Sequence, residues 1–356
     1  MKTVVVSFEK RTSTNSPNYA LDFVNFLNDY TIYVDTLIIL SKNDDNGLIE
    51  ALSSNFDILF ILNSDSAGFY VPSVLNKLNL SPDKDGFCGD KKVVSCVPLN
   101  FKTDYPQIFE RALSTKFNIS FGKLTFKLYG ISKEEVENVT YQITTKIKSV
   151  FFNVTETNGD IKVCLIYGDT APKKQVDMAV RDFIVTLKKH IYAEDDIPLN
   201  QRLIDVAKLR NQKICTAESM TGGLIASKIV QVDGASDVFY EGLVTYNTLA
   251  KERRLNVSHS TVNKFSVVSE QVACEMAKGL IEQKNCTLSI TITGYAGSSV
   301  HPDKDDGLCY IGIATSRQVQ VYKYHFKGTR QQNIESAANA AIFLAIKTID
   351  NLDYLS

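Results

Sequence analysis

The sequence predicts an α/β protein built from three consecutive blocks, and three observations lead to this prediction. Short, continuously apolar runs alternate with helical patterns over residues 1–100. The pattern changes to alternating strands and longer helices around residues 120–192, and strands that end in Gly- and Ser-containing loops follow from residue 200. The 356 residues also exceed one typical domain of roughly 100–200 residues, so two or three domains are expected.

The first block has the pattern of a parallel sheet covered by helices. Three runs are apolar throughout, as in strands that are buried on both faces: TVVVSF, DTLIILS and DILFILNS. Two stretches between them have helical spacing, YALDFVNFLNDY and GLIEALSSN. This alternation predicts an α/β sandwich, and the polar residues 81–92 that follow predict a loop.

The second block predicts a small unit in which two strands are each followed by a helix. The strands are KLTFKLYG and DIKVCLIYG, and the helices are SKEEVENVTYQITTKI and KKQVDMAVRDFIVTLKKHI. Ser132 stands three residues before Glu135 at the start of the first helix, which is typical of a capping box. The charged, proline-containing residues 193–200 predict a linker to the third block.

The third block predicts a sheet whose strands end in short polar loops. It opens with the helix RLIDVAKLR, the strand KICTAES and the helix LIASKIVQV. The strand VFYEGLVTYN leads into the helix NTLAKERRL, and a further helix begins at Ser269. The strands TLSITITG, LCYIGIATS and VQVYKYHF follow, and a long final helix begins near Arg330.

Composition argues against nucleic acid, membranes and metal ions as partners of the chain. The net charge of −1 gives no electrostatic reason to expect nucleic acid or an anionic membrane as a partner. Seven cysteines without a C-x-x-C pair predict reduced thiols, and four widely separated histidines predict no metal site. The chain has no apolar run near the roughly 18 residues that span a bilayer, and its first residues do not resemble a signal peptide. We therefore expect a cytoplasmic protein without a membrane partner.

Ser219 lies in the run CTAESMTGG, residues 215–223, where a predicted strand turns into a helix. Such a turn places backbone N–H groups and a partial positive charge near a bound anion. Gly222 and Gly223 carry no side chain that would obstruct a ligand at the first helical turn. Ser219 is therefore either a nucleophile or a helix cap, and the residue types alone favour neither role.

Lys251 follows a second predicted strand end, in the run TYNTLAK. In a helical NTLAK, Asn247 and Lys251 stand at i and i+4 on one face. A lysine on a polar face is usually only solvated, but a neutral lysine that reaches a serine can deprotonate it. Serine–lysine pairs replace serine–histidine pairs in some hydrolases.

A third strand end carries the small residues TGYAGSS, residues 293–299, which suit a phosphate or ribose held by backbone N–H groups. Ligands bind at the carboxyl ends of the strands in parallel and mixed sheets. Three such ends together predict one ligand site.

At these residues the third block resembles the carboxy-terminal domain of the CinA family, the competence/damage-inducible proteins. Five family patterns occur in order over about 115 residues. They are A-E-S-x-T-G-G at 217–223, G-x-V-T-Y-x-x-x-x-K at 242–251, V-S-E at 268–270, G-x-A-G at 294–297 and F-x-G-x-R at 326–330.

The resemblance implies hydrolysis of the amide of nicotinamide mononucleotide to nicotinic acid mononucleotide and ammonia, without a metal or cofactor. It implies Ser219 as nucleophile, Lys251 as its base and Tyr246 as an assisting residue, with N–H groups after Ser219 forming an oxyanion hole. The substrate-binding residues that it implies are Glu218, Thr221, Gly222, Gly223, Asn247, Thr293, Gly294, Ala296, Gly297 and Arg330.

The longer members of the family suggest the organisation of the whole chain. By this resemblance, residues 1–115 form a degenerate molybdopterin-binding-like α/β domain and residues 116–194 a KH-like α+β middle domain. Residues 197–356 form the C-terminal α/β amidohydrolase domain. The partner is a small pyridine nucleotide, and the chain is expected to be a homodimer.

The chain also departs from the family pattern. SFEKR stands where the first domain of the family has G-D-E, and LNSDSAG stands where it has G-G-L-G-P-T. In the third block Ser298, Leu308 and Ile334 replace a common proline, threonine and arginine. Two alternatives therefore stay open: a catalytically impaired nucleotide-binding protein, and a residual ADP-ribose pyrophosphatase in the first domain.

Overall fold

A computed structural model describes most of the chain. The described residues are 1–8, 19–28, 30, 32–41, 44–62, 75–76, 79–81, 83, 85–89, 92–97, 105–117, 121–168, 170–283, 286–297 and 306–350. No helix among them combines the length and the apolar character that crossing a bilayer requires.

The chain divides into two compact units. One consists of Met1–Leu124, Gln142–Asn153 and Cys164–Arg181, and the other of Thr125–Tyr141, Val154–Val163 and Asp182–Ser356. Residues 116–194 contribute to both units, so the three domain ranges given above stay a prediction.

The first five-stranded sheet has the order β2-β1-β3-β5-β4. Its strands are β1 (Thr3–Phe8), β2 (Thr36–Leu40), β3 (Ile58–Leu62), β4 (Phe87–Cys88) and β5 (Val93–Val97). Its helices are α1 (Tyr19–Asn28), α2 (Asp45–Ser53) and α3 (Tyr105–Phe117). The first four strands in this order are parallel, as predicted for β1, β2 and β3, whereas β5 was not predicted from the sequence. The strands β1 and β3 are buried along their whole length. The strand β2 lies at the edge of the sheet and three of its five residues are exposed, so the prediction that it is buried on both faces is wrong.

The strand β4 lies inside the predicted loop at 81–92, which is a difference from the sequence analysis. Phe87 and Cys88 are buried and pair with β5 in the antiparallel direction. The Asp83 carboxylate accepts the backbone N–H of Phe87 at 3.0 Å and fixes the turn that leads into the pair. Two apolar residues are enough for an edge strand here because a polar turn holds them against β5.

A four-stranded sheet has the order β7-β8-β6-β9. It consists of β6 (Phe121–Leu128), β7 (Val150–Thr157), β8 (Asp160–Gly168) and β9 (Ile191–Ala193), with the helices α4 (Lys133–Lys146) and α5 (Lys173–Leu187). The sequence analysis missed β7 and β9. The capping box is confirmed, because Ser132 and Glu135 exchange hydrogen bonds between each backbone N–H and the other side chain at 3.1 and 3.2 Å.

The second five-stranded sheet has the order β11-β10-β12-β13-β14. Its strands are β10 (Ile214–Glu218), β11 (Phe239–Val244), β12 (Leu288–Gly294), β13 (Leu308–Thr315) and β14 (Val319–His325). The helices of this part are α6 (Leu199–Leu209), α7 (Leu224–Val230), α8 (Thr248–Leu255), α9 (His259–Phe265), α10 (Glu270–Gln283) and α11 (Arg330–Asp350).

The direction of these strands brings several loops to one edge of the sheet. The strands β11, β10 and β12 are parallel, so their carboxyl ends lie side by side. The strand β13 runs antiparallel to β12 and β14, and its first residue, Leu308, pairs with the last residue of β14, His325. The loop that leads from β14 into α11 therefore starts at the same edge as the loops after β10, β11 and β12.

Two hydrophobic clusters cover the faces of this sheet. One contains the buried alanine-rich side of α11, with Ala337, Ala341 and Ala345 fully buried, together with α6 and α7. The other contains Cys215 and Ala217 of β10 with Val272 and Met276 of α10. The small side chains of α11 allow this helix to approach the sheet closely.

Candidate active site

The turn after β10 presents Ser219 at the carboxyl end of a central strand. The Ser219 N–H donates to the Ile292 carbonyl at 3.1 Å, and the Ser219 carbonyl accepts the Gly222 N–H at 3.1 Å. Gly222 and Gly223 have φ values of +63° and +100°, a region that side-chain-bearing residues rarely adopt. The two glycines thus allow the chain to turn from β10 into α7 within a few residues.

The helix cap in this turn is Glu218, and not Ser219. Glu218 is fully buried, and its carboxylate accepts the N–H groups of Gly223 and Ile225 at 3.0 Å and that of Ala226 at 2.8 Å. The N-terminus of α7 is therefore already occupied by a carboxylate and does not hold an anionic ligand. These contacts fix the turn that carries Ser219, and the expected role of Glu218 in substrate binding stays a prediction.

Lys251 reaches Ser219 across the sheet edge. Its Nζ donates to the Ser219 Oγ at 2.9 Å, to the Thr245 carbonyl at 2.7 Å and to the Tyr246 carbonyl at 3.2 Å. The side chain is 1% exposed, although it belongs to a helix whose sequence is mostly polar. Ser219 and Lys251, which are 32 positions apart in the chain, thus meet in space, as a serine–lysine pair requires.

Burial lowers the pKa of Lys251 from its ordinary 10.5 to about 8. The three partners suit the neutral amine, which has two hydrogen atoms and one lone pair. The two carbonyl oxygens accept the two hydrogens, and the lone pair then accepts the proton of the Ser219 hydroxyl. The geometry can therefore activate the serine whenever Lys251 is uncharged.

The helix α8 is capped so that Lys251 faces inward. The Asn247 side chain accepts the Leu249 N–H at 2.9 Å and is the N-cap of α8. Lys251 stands four residues later, one turn into the helix. Asn247 is not among the residues that line the pocket described below, and its expected role in substrate binding stays a prediction.

A pocket of about 220 Å³ opens beside the Ser219–Lys251 pair. It lies at the sheet edge where the strand ends meet. Its lining residues are Ser219, Met220, Tyr246, Thr248, Lys251, Val267, Val268, Thr293, Gly294, Tyr295, Ala296, Gly297, Asp306 and Arg330.

Most of the residues implied for the site lie in this pocket, but not all. Those that line it are Ser219, Lys251, Tyr246, Thr293, Gly294, Ala296, Gly297 and Arg330. Those that do not are Glu218, Thr221, Gly222, Gly223 and Asn247.

Thr221 is 5% exposed, and its hydroxyl has no hydrogen-bond partner within the described part of the chain. Gly294 packs closely, because a Cβ there would lie 2.4 Å from the Met220 Sδ.

The sequence analysis missed six lining residues. They are Met220, Thr248, Val267, Val268, Tyr295 and Asp306. Five of them stand inside or beside the motifs already singled out, so adjacency to those motifs was an available signal for Met220, Thr248, Val267, Val268 and Tyr295. The segment with Val267 is held at the pocket because the Thr293 hydroxyl donates to the Val267 carbonyl at 2.9 Å.

Tyr246 and Arg330 form the outer wall of the pocket. Arg330 Nη1 donates to the Gly297 carbonyl at 2.8 Å, and Nη2 lies 3.5 Å from the Tyr246 hydroxyl. The Tyr246 side chain is 63% exposed. Its hydroxyl contacts Arg330, and its carbonyl contacts Lys251, so the backbone of Tyr246 is the part that touches the Ser219–Lys251 pair.

The departures from the family pattern have different surroundings. Ile334 is partly buried and packs against the cluster that contains α11. Leu308 is the first residue of β13. Ser298 and most of the two changed motifs of the first domain, residues 9–11 and 63–68, lie outside the described residues.

Comparison with known proteins assigns a family to this part of the chain. Residues 196–349 match the model of the CinA C-terminal domain. A putative competence-damage inducible protein of Caldicellulosiruptor saccharolyticus is 35% identical over 194 residues, 54% of this chain and 47% of that protein. A CinA-like protein of Fusobacterium nucleatum subsp. nucleatum is 33% identical over 234 residues, 62% of this chain and 54% of that protein. The chain thus spans about half the length of these curated relatives.

Solved structures of the same superfamily are also similar over the C-terminal part. A competence-damaged protein (CinA) superfamily protein from Escherichia coli is 30% identical, with a TM-score of 0.40 and coverage of 42% of this chain and 88% of that chain. A competence/damage inducible protein from Agrobacterium tumefaciens is 28% identical, with a TM-score of 0.41 and coverage of 43% and 93%. The family model and the curated relatives thus show that residues 196–349 are similar to the CinA C-terminal domain.

Proposed function

We propose that the chain hydrolyses the amide of nicotinamide mononucleotide, giving nicotinic acid mononucleotide and ammonia. The observation that carries the proposal is the 2.9 Å contact between the Ser219 Oγ and the buried Lys251 Nζ at the wall of a pocket. A hydroxyl next to an amine of lowered pKa is the arrangement of an activated nucleophile. Similarity to a family with amidase-like members supports the same reaction class.

The proposed reaction has two halves. Neutral Lys251 takes the proton of the Ser219 hydroxyl as Oγ attacks the amide carbon, and a tetrahedral intermediate forms. Lys251 then gives that proton to the nitrogen, the C–N bond breaks, and ammonia leaves an ester on Ser219. Water, deprotonated by Lys251, attacks the ester, and Oγ recovers a proton as the nicotinic acid product leaves.

Two backbone groups are available for the negative oxygen of the intermediate. In the described turn, six N–H groups donate within the protein, those of Ser219, Gly222, Gly223, Leu224, Ile225 and Ala226. The N–H groups of Met220 and Thr221 remain, directly after the nucleophile. We assign the oxyanion hole to these two groups, because such donors stabilise a tetrahedral oxyanion without reorganisation.

Arg330 is the residue that we assign to the substrate phosphate. It is the first residue of α11, a helix of 21 residues, and it lines the pocket. A helix N-terminus carries a partial positive charge that adds to the charge of the guanidinium. Thr329 and Gln332 exchange capping hydrogen bonds at 2.9 and 3.4 Å, which fix the start of this helix.

The proposal also covers the domain organisation, the oligomeric state and the location of the chain. We propose a degenerate molybdopterin-binding-like domain at residues 1–115, a KH-like domain at 116–194 and a homodimer in the cytoplasm. The parallel sheet of β2, β1, β3 and β5 and the separate four-stranded sheet are compatible with the two domain types. The changed glycine motifs in the first domain favour a scaffolding role over pyrophosphate hydrolysis.

The direct test is ammonia release from nicotinamide mononucleotide by the purified full-length chain. We expect turnover by the wild-type chain and none above background by Ser219→Ala. Calorimetry on the same preparations measures binding of the nucleotide. Tight binding without ammonia release would replace the amidase with the nucleotide-binding alternative.

The lowered pKa of Lys251 predicts the pH dependence of the reaction. The base must be neutral, so kcat/KM should fall about tenfold per pH unit below the pKa of about 8 and level off above it. The substrate phosphate titrates near pH 6 and does not account for a transition near 8. Initial rates between pH 6 and 10 measure this profile, and a flat profile across that range would remove Lys251 as the base.

A further inference from the structure

The loop between β14 and α11, which leads into Arg330, is tied to the loop after β12 by one buried side-chain amide. We infer that Asn333 is a positioning residue for the phosphate side of the pocket, an inference that rests on the proposed function. Asn333 is 1% exposed and lies in the first turn of α11, outside the pocket lining. It belongs to none of the motifs that the sequence analysis identified.

The hydrogen bonds of Asn333 join two separate loops. Its Nδ2 donates to the Ala296 carbonyl at 2.9 Å and to the Gly328 carbonyl at 3.0 Å. Its Oδ1 accepts the Gly328 N–H at 2.9 Å. Both amide hydrogens therefore have acceptors, and Gly328 is held through both of its backbone groups.

The partners also fix the orientation of the amide. The two carbonyl oxygens only accept and the Gly328 N–H only donates, so the Asn333 side chain fits in one orientation. A side chain with fixed donors and acceptors holds the Ala296 and Gly328 backbones at a defined separation. An apolar residue at position 333 would leave the Ala296 carbonyl and both backbone groups of Gly328 without this hydrogen-bond partner. Buried polar groups without a partner destabilise the folded state.

These contacts lead directly to Arg330. Gly328 stands two residues before Arg330, and Ala296 precedes Gly297, whose carbonyl accepts Arg330 Nη1 at 2.8 Å. Asn333 and Arg330 thus bridge the same two loops, one from inside the core and one at the pocket wall. The position of the guanidinium depends on the backbone separation that Asn333 sets.

The Ser219–Lys251 pair is held by other contacts. Its residues are fixed by the Glu218 cap, the Asn247 cap and the Thr245 and Tyr246 carbonyls. None of these hydrogen bonds involves Asn333. Loss of the Asn333 amide should therefore weaken binding of the phosphate-bearing substrate and leave the chemical step largely unchanged.

The matched control is Asn339→Leu. Asn339 is also buried, at 7% exposure, and lies six residues further along α11, about 9 Å away along the axis. The substitution Asn339→Leu removes the same group, a buried side-chain amide, from the same helix but at a distance from the two loops. Asn333→Asp is the second variant, because it keeps the size and the acceptor for Gly328 but turns an oxygen towards the two carbonyls.

The test measures binding and turnover separately with the full chain. In a Ser219→Ala background, calorimetry compares nicotinamide mononucleotide with nicotinamide riboside, which lacks the phosphate. We expect Asn333→Leu, Asn333→Asp and Arg330→Gln each to weaken mononucleotide binding about tenfold or more and to leave riboside binding unchanged. Asn339→Leu should bind both like the parent. With Ser219 intact, the Asn333 variants should raise KM about tenfold while kcat changes less than about threefold.

A double variant separates positioning from general destabilisation. If Asn333 acts through Arg330, Asn333→Leu combined with Arg330→Gln should bind the mononucleotide no more weakly than Arg330→Gln alone. Additive losses, or unchanged mononucleotide affinity in Asn333→Asp, would overturn the inference while leaving the amidase intact. Nucleotide binding without ammonia release by the wild-type chain would overturn the amidase and still allow the Asn333 comparison.

Discussion

Lys251→Met is expected to lower kcat for amide hydrolysis by about 10³-fold, because a positioned general base contributes about 10²–10⁴-fold and acts here on the nucleophile itself. Methionine has nearly the shape of the lysine stem and fills the same buried space. Its thioether sulfur is far too weak a base to take the Ser219 proton, and it has no hydrogen for the Thr245 and Tyr246 carbonyls. The substitution thus removes the chemistry while keeping most of the packing.

Single-turnover and steady-state ammonia release measure this effect. Lys278→Met is the matched control, because Lys278 is an exposed lysine on α10 away from the pocket lining. Calorimetry with the mononucleotide should show similar affinity for Lys251→Met and the wild type. Activity in Lys251→Met within about tenfold of the wild type would be incompatible with Lys251 as the base.

Glu218→Ala is expected to destabilise the C-terminal part of the chain by about 3 kcal/mol or more. The reason is that the buried carboxylate is the partner of three backbone N–H groups at the start of α7. Hydrogen bonds to a charged acceptor are stronger than neutral ones, and the alanine variant would leave three buried donors unsatisfied. Since Ser219 is the next residue, the same change should also disorder the turn that presents the nucleophile.

Thermal unfolding monitored by circular dichroism, together with hydrogen exchange of residues 223–226, measures the loss. Glu135→Gln is the control, because Glu135 is also a capping carboxylate but lies at the surface of α4, and glutamine serves equally in a capping box. Exchange at residues 223–226 that is as slow in Glu218→Ala as in the wild type would show that another group caps α7.

The strands and helices with strong local patterns were predictable from the sequence. The parallel runs at β1, β2 and β3 and the long helix α11 follow from apolar periodicity alone. The strand β9 was not predictable in this way, because three residues carry too little pattern. It exists because Lys127 and Leu128 of β6 offer a pairing partner far away in sequence.

The residues of the candidate site were likewise only partly predictable from the sequence. Small and polar residues after strand ends, which are typical of ligand sites, identified Ser219 and Lys251, whereas Arg330 was implied only by the resemblance to the CinA family. The capping contacts of Glu218 and Asn247 were not predicted, because local sequence does not show where a side chain turns. Their carboxylate and amide oxygens cap helices instead of facing the pocket.

The sequence by itself determined which strand ends carry the reactive groups, because strand and helix periodicity and turn residues are encoded locally. Only the tertiary structure decided that Lys251 is buried against Ser219 and that Asn333 joins the loops at Arg330. The physical reason is that desolvation and hydrogen-bond partnership depend on residues that are distant in the chain. The pKa of Lys251 is lowered only because the fold buries its amine against Ser219, Thr245 and Tyr246.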